Sequence, residues 1–275
     1  MTLIQTLFGN FLQSNFMQNA LLAVLLVTPL FGILGTMVVS NRMAFFSDSL
    51  GHGAFTGLAL GVLLGGVSPL GSLIFFSVLF SLLITWVQAK SGAATDTIIG
   101  VFSSLGVALG LIMMGFLGGV SKFSTYLVGD LLSVSRQDVF YLLLVFIAVL
   151  VLWAFLFNPL LVFSINPSFA RSRGIHALGT EALFAATLAV VVAVSIQWVG
   201  LLIINAILVL PAAAARNVAW NVKSYHAFSV LIALFSGLVG LFLAYRLNLA
   251  AGAAIVVIAG IIFFVTLALK PYLQH

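Results

Sequence analysis

Residues 49–89 read SLGHGAFTGLALGVLLGGVSPLGSLIFFSVLFSLLITWVQA, without one Asp, Glu, Lys or Arg. A helix crossing the hydrocarbon of a bilayer needs about 20 apolar residues, so this interval is too long for one span and suits two. Gly65-Gly66-Val67-Ser68-Pro69-Leu70-Gly71 supplies the turn between them, because glycine and proline interrupt helical continuity. The same character extends over the chain. Of 275 residues, 63% are hydrophobic and 5% are charged, against roughly 25% charged in a soluble domain. Mean hydropathy is +1.32, and no polar block large enough to fold separately in water is present. The expected fold is all-α, a polytopic transmembrane helical bundle forming one domain over residues 18–270.

Nine spans are expected, near 19–39, 46–66, 70–88, 97–118, 139–157, 180–197, 200–218, 227–245 and 250–269. The sixth and seventh are divided only by the polar hinge Ser195-Ile196-Gln197-Trp198-Val199-Gly200, so eight spans form the alternative. With nine, Arg42, Lys90, Arg171, Arg173, Arg216, Lys223 and Lys270 fall inside and Lys122, Arg136 and Arg246 outside, which satisfies the positive-inside tendency. The N-terminus is then outside and the C-terminus cytoplasmic. Residues 1–17 are apolar but interrupted by Gln5, Asn10, Gln13 and Asn15, and read as an interfacial segment. The pI of 9.9 comes from ten scattered cations without a basic patch, so no nucleic-acid partner is implied.

Chemistry needs charge, and charge is scarce enough to take residue by residue. Asp48 and His52 stand i, i+4 at the head of the second span, one turn apart on one helix face. Gly57, Gly61 and Gly65 follow as a small-residue stripe. At 100° per residue Gly57 lies about 180° from Asp48, so one face packs against a neighbour and the other carries the polar pair. A carboxylate oxygen with an imidazole nitrogen suits borderline divalent ions such as Zn²⁺ or Mn²⁺, whereas Cu(I) would want Cys or many Met. The alternative is a capped helix start with an incidental interior histidine. Gln197, Asn205 and the Ser103-Ser104 pair can line a pathway or hydrogen-bond between helices.

The connection 158–179 is the longest cytoplasmic one on this map. It mixes apolar positions with Arg171 and Arg173, as suits docking to a soluble partner or lying on anionic lipid. Several enzyme classes are excluded or weakened. With no Cys, thiolate catalysis and Cys-ligated metal centres are out. None of the four lysines follows a glycine, so no phosphate loop exists and the chain is not itself an ATPase. H-E-x-x-H and G-x-S-x-G are absent too.

The segment Asn41-Arg42-Met43 through Ser47-Asp48-Ser49-Leu50-Gly51-His52-Gly53, with Gly57 and Gly61, closely resembles the second-span signature of the zinc/manganese/iron family of ATP-binding-cassette importer permeases. Asp96-Thr97-Ile98-Ile99-Gly100 with Gly106, Tyr126-Leu127-Val128-Gly129-Asp130-Leu131-Leu132, and Val199-Gly200-Leu201-Leu202 through Leu210-Pro211-Ala212-Ala213-Ala214-Ala215-Arg216 agree in order and spacing, so the resemblance covers residues 20–270. It implies a homodimeric permease of the bacterial inner membrane, two copies of a cytoplasmic ATP-binding subunit, and an extracytoplasmic solute-binding protein delivering metal. By that resemblance Asp48 and His52 match the intramembrane metal-contacting pair. Within 158–179, Phe169, Ala170, Arg171, Arg173, Gly174, Ile175 and Gly179 match the ATPase-coupling segment. Where zinc-type members often carry a histidine in the fourth span, this chain has Val101-Phe102-Ser103-Ser104.

The expected function is therefore ATP-driven import of a divalent transition metal, zinc first, manganese next and iron possible. The chain does no chemistry of its own: it holds no permanent cofactor, and ATP sits on the partner. Ser103 and Asn205 are the expected pathway residues, and Asp130, Arg136, Asp138 and Lys122 the candidates for meeting the solute-binding protein. The rival readings are a proton-coupled secondary transporter and an intramembrane enzyme.

Overall fold

The computed structural model describes residues 14–65, 68–118 and 124–273, and their regular structure is entirely helical. In chain order the helices are α1 (Asn15–Ser40), α2 (Ala44–Leu64), α3 (Pro69–Ser91), α4 (Thr95–Phe116), α5 (Ser124–Val128), α6 (Arg136–Ile165), α7 (Pro167–Ser172), α8 (Ala177–Val199), α9 (Leu201–Val218), α10 (Val222–Leu247) and α11 (Ala251–Leu273). A 3₁₀ turn, Leu131–Ser133, precedes α6. Among the described residues nine long helices overlap the nine expected segments, with bounds that differ most at α6. Seven of them, α1, α3, α4, α6, α8, α10 and α11, are long and apolar enough to cross a membrane. Helix α2 falls outside that set because Ser47, Asp48, Ser49 and His52 dilute its hydropathy, and α9 because it is short.

Helix ends follow local chemistry. Ser68 caps α3, its hydroxyl accepting the Gly71 N–H at 3.1 Å with Pro69 in the first turn. Ser135 and Asp138 form a reciprocal capping box on α6, and Asn221 and Ser224 do so on α10. Arg42, with φ 57°, closes the α1–α2 turn, and Met43 N–H returns to Val38 C=O at 2.8 Å. Gly65 is not part of the packing stripe expected of it. With φ 61° and nothing near it, it terminates α2, while Gly53, Gly57 and Gly61 form the seam, facing Phe80, Phe76 and Ser72 of α3.

Two other expectations change. The span expected at 139–157 is a helix of 30 residues, roughly 45 Å long against a hydrocarbon core of about 30 Å. The connection expected from 158 therefore begins only after Ile165, since Pro159 leaves α6 continuous. Residues 1–13 of the interfacial N-terminal segment, and Lys122, lie outside the described residues, and Asn15–Met17 already belong to α1.

Lipid offers no hydrophobic drive between helices, so close backbone approach and interhelical hydrogen bonds hold the bundle. Ser229 Oγ on α10 donates to Gly32 C=O on α1 at 2.6 Å, and a Cβ at Gly32 would strike the Val230 backbone. Helices α1 and α8 are buried over most of their length, whereas α6 turns most of its surface outward. The second helix, α2, is enclosed by α3, α4 and α9.

Candidate functional site

Asp48 and His52 occupy successive turns of α2, with Asp48 Oδ2 3.5 Å from His52 Nε2. Their side chains remain 43% and 25% exposed, so the pair faces outward from this single chain rather than into its core. The flanks of that face are fixed by neighbours. Ser47 Oγ donates a short hydrogen bond to Asn205 Oδ1 of α9. Thr56 Oγ1, one turn beyond His52, donates to Gly106 C=O of α4 at 2.6 Å. The two backbones run close here: a Cβ at Gly106 would sit in van der Waals contact, 3.4 Å from His52 C and Gly53 N. On the α9 side, Gly51 faces Leu201 and Ile204. The α2 backbone carrying the pair is thus held from both sides, while the carboxylate and imidazole keep partial solvent access.

The separation suits chelation. Ligand bonds of roughly 2.0–2.2 Å at a tetrahedral angle hold two donor atoms about 3.3–3.6 Å apart, and the pair stands at 3.5 Å. Two donors do not complete a coordination shell, and among the described residues no group of three His, Asp or Glu side chains occurs.

Of the other residues singled out from sequence, Asn205 is tied to Ser47, and Ser103 is half-buried one turn before Gly106. Asp130 and Asp138 serve as caps. Asp130 accepts the Leu132 N–H at 3.0 Å, and Asp138 accepts both Ser135 N–H and Oγ–H. Arg136 lines a groove beside Gln18 and Asn19. At the other end of α6, α7 is capped by Asn166 Oδ1 and closed by Gly174 at φ 75°, with Ile175 N–H returning to Ala170 C=O at 3.1 Å. This leaves Ala170 buried and Phe169 exposed, the Arg173 guanidinium 5.0 Å over the Phe169 ring, and Gly179 in the first turn of α8.

One close contact joins two segments distant in sequence. Gly129 and Gly200, at φ 79° and 91°, cross backbone to backbone, and a Cβ on either would enter the other's chain. Asp130 N–H then reaches Gln197 C=O at 3.4 Å. Gly200 also divides α8 from α9, and Leu201 immediately after it packs on Gly51. The signal was there in two glycine-bearing motifs far apart in sequence, but nothing in either names the other. His226 bridges α10 and α1 through Thr36 Oγ1 at 2.9 Å.

The profile of the ABC 3 transport family matches residues 13–270. The chain belongs to that family. Among similar ABC 3 proteins, the manganese import system permease protein ScaB of Streptococcus parasanguinis is 31% identical over 259 residues, 94% of this chain and 92% of that one. The high-affinity zinc uptake system membrane protein ZnuB of Haemophilus influenzae is 29% identical over 249 residues, 90% of this chain and 95% of its own length. Among solved structures, PsaBC from Streptococcus pneumoniae in complex with Fab superposes with a TM-score of 0.84 at 30% identity, covering 96% of this chain and 95% of that one. This ABC 3 chain is accordingly a multi-pass permease of the bacterial inner membrane.

Proposed function

We propose that the chain is the membrane subunit of an ATP-driven importer of a divalent first-row transition metal, with Asp48 and His52 contacting the cation in transit. The observation that carries this is the paired carboxylate and imidazole, held at chelating distance yet left open on one helix face. The half-filled shell leads to the second element of the reading. A copy related by two-fold symmetry across that face would bring two carboxylates and two imidazoles to one ion. Such a site is assembled only between subunits and can be pulled apart, as release of cargo demands.

Zinc is the first reading, because the donor separation fits a tetrahedral ion and one donor is an imidazole. Manganese is the second, since α4 carries no histidine and has Val101-Phe102-Ser103-Ser104 where the family resemblance leads to one in zinc-type members. Relatives are named for each metal. Nine passes with the N-terminus outside accord with the helix break at Gly200 and with Arg216 reaching Val39 C=O, which brings Arg42 and Arg216 to one end of the bundle.

Energy enters through a partner, since this chain has no phosphate loop. The α6 extension carries α7 beyond the membrane, where Phe169 and Arg173 form an exposed aromatic-cation knob for a cytoplasmic ATPase. At the other end, the capped turn around Asp130 and the outer groove at Arg136 are the surfaces for a solute-binding protein. The reconstituted complex is expected to accumulate Zn²⁺ or Mn²⁺ only with ATP. Reversing Arg171 and Arg173 to Glu should cut both ATPase co-purification and ATP-driven uptake at least about tenfold, the loss of a docked charge pair. Uptake driven by a proton gradient without the ATPase would overturn the reading in favour of a secondary transporter.

A further inference from the structure

Helices α6 and α10 do not close against each other along the inner half of their length. Between them, over α1, runs a groove of about 760 Å³ bounded by Ile33, Trp153, Phe157, His226, Val230 and Leu231, with Lys223 at one end. Its walls are apolar even where the residues are not. The two nitrogens of His226 are turned away, Nδ1 to Val222 C=O and Nε2 to Thr36 Oγ1, each at 2.9 Å, so the ring packs against Phe157 and Trp153 at centroid distances of 5.3 and 6.0 Å. From Val222 to Leu231 the α10 wall rises about 13 Å, close to the depth of one leaflet in a hydrocarbon core of about 30 Å.

The mouth has a different chemistry. Lys223 is exposed in the first turn of α10, and among the described residues no carboxylate pairs with it. Trp220, 75% exposed and edge-on to Phe228 at 5.2 Å, marks the same level as the headgroup interface where tryptophan is enriched. A cation at headgroup depth above a leaflet-deep apolar slot has the complementary shape of one ligand class. We infer that this groove binds an anionic glycerophospholipid of the cytoplasmic leaflet, its phosphate on Lys223 and an acyl chain along Trp153, Phe157 and Leu231. The metal pair lies elsewhere, on α2, and neither α2 nor the helices packed on it, α3, α4 and α9, contributes a residue to the groove.

The test uses the complete importer, purified with its partner subunits and placed in nanodiscs containing diazirine-acyl phosphatidylglycerol or diazirine-acyl phosphatidylcholine. After illumination, adducts are mapped by mass spectrometry. Adducts are expected at 153–157 and 222–231, about fivefold more from phosphatidylglycerol, the ratio given by roughly 1 kcal/mol per basic residue at the membrane surface. Lys223→Gln should lower the phosphatidylglycerol yield to the phosphatidylcholine level. Ala227→Phe, at an exposed position on the groove wall, should lower both by filling the slot. Equal yields from the two lipids, a preference that survives Lys223→Gln, or a groove free of adducts because another protein chain covers it would each overturn the assignment.

Discussion

Asp48→Asn is expected to reduce metal uptake by the assembled importer more than about a hundredfold, beyond the 10- to 100-fold loss seen when a residue merely supporting a metal ligand is changed. The substitution keeps shape and removes the charge that neutralises a divalent ion. His52→Ala should act in the same direction, leaving the carboxylate without the nitrogen that stands 3.5 Å from it. Asp48 is 43% and His52 25% exposed, so neither side chain is fully enclosed, and Ser47 and Thr56 hold the helix independently. Both variants should therefore insert and recover their ATPase partner at wild-type level. Wild-type uptake rates in both variants would remove the pair from the mechanism.

Gly200→Ala should cost the most in stability. Gly200 adopts φ 91° and ψ 143°, a region that side-chain-bearing residues occupy at about 1–3 kcal/mol. Its new Cβ would also enter the Val128–Gly129 backbone, an overpacking cost of about 1–3 kcal/mol more. Together, on the order of 4 kcal/mol is a large part of the 5–15 kcal/mol that keeps a typical domain folded. Gly65→Ala provides the control, because φ there is 61° but nothing lies near. Thermal midpoints of the solubilised complex should fall much further for Gly200→Ala than for Gly65→Ala. Equal shifts would mean that the Gly129–Gly200 crossing contributes no packing constraint.

The helices were legible because hydropathy reports burial in lipid directly, and because Gly65 to Pro69 and Gly200 carry turn chemistry that survives without tertiary context. The Asp48–His52 spacing was legible for the same local reason: four residues on a helix fix a shared face. What stayed hidden depends on partners distant in sequence. Ser47 with Asn205, Thr56 with Gly106, and Gly129 with Gly200 join elements whose neighbours no periodicity specifies. The extent of α6 was missed because Pro159 and the polar Asn158 read as a terminus, yet the helix runs on past them to Ile165. His226 stands at a span start with no local motif to mark it. Only its ring contacts show that it walls a groove.

The most direct test of the metal assignment is X-ray absorption at the zinc edge of the loaded complex, compared between wild type, Asp48→Asn and His52→Ala. Oxygen and nitrogen neighbours with the outer scattering of an imidazole ring are expected around the zinc, with either variant losing the metal or that signature. A spectrum and a zinc content unchanged in both variants would contradict it.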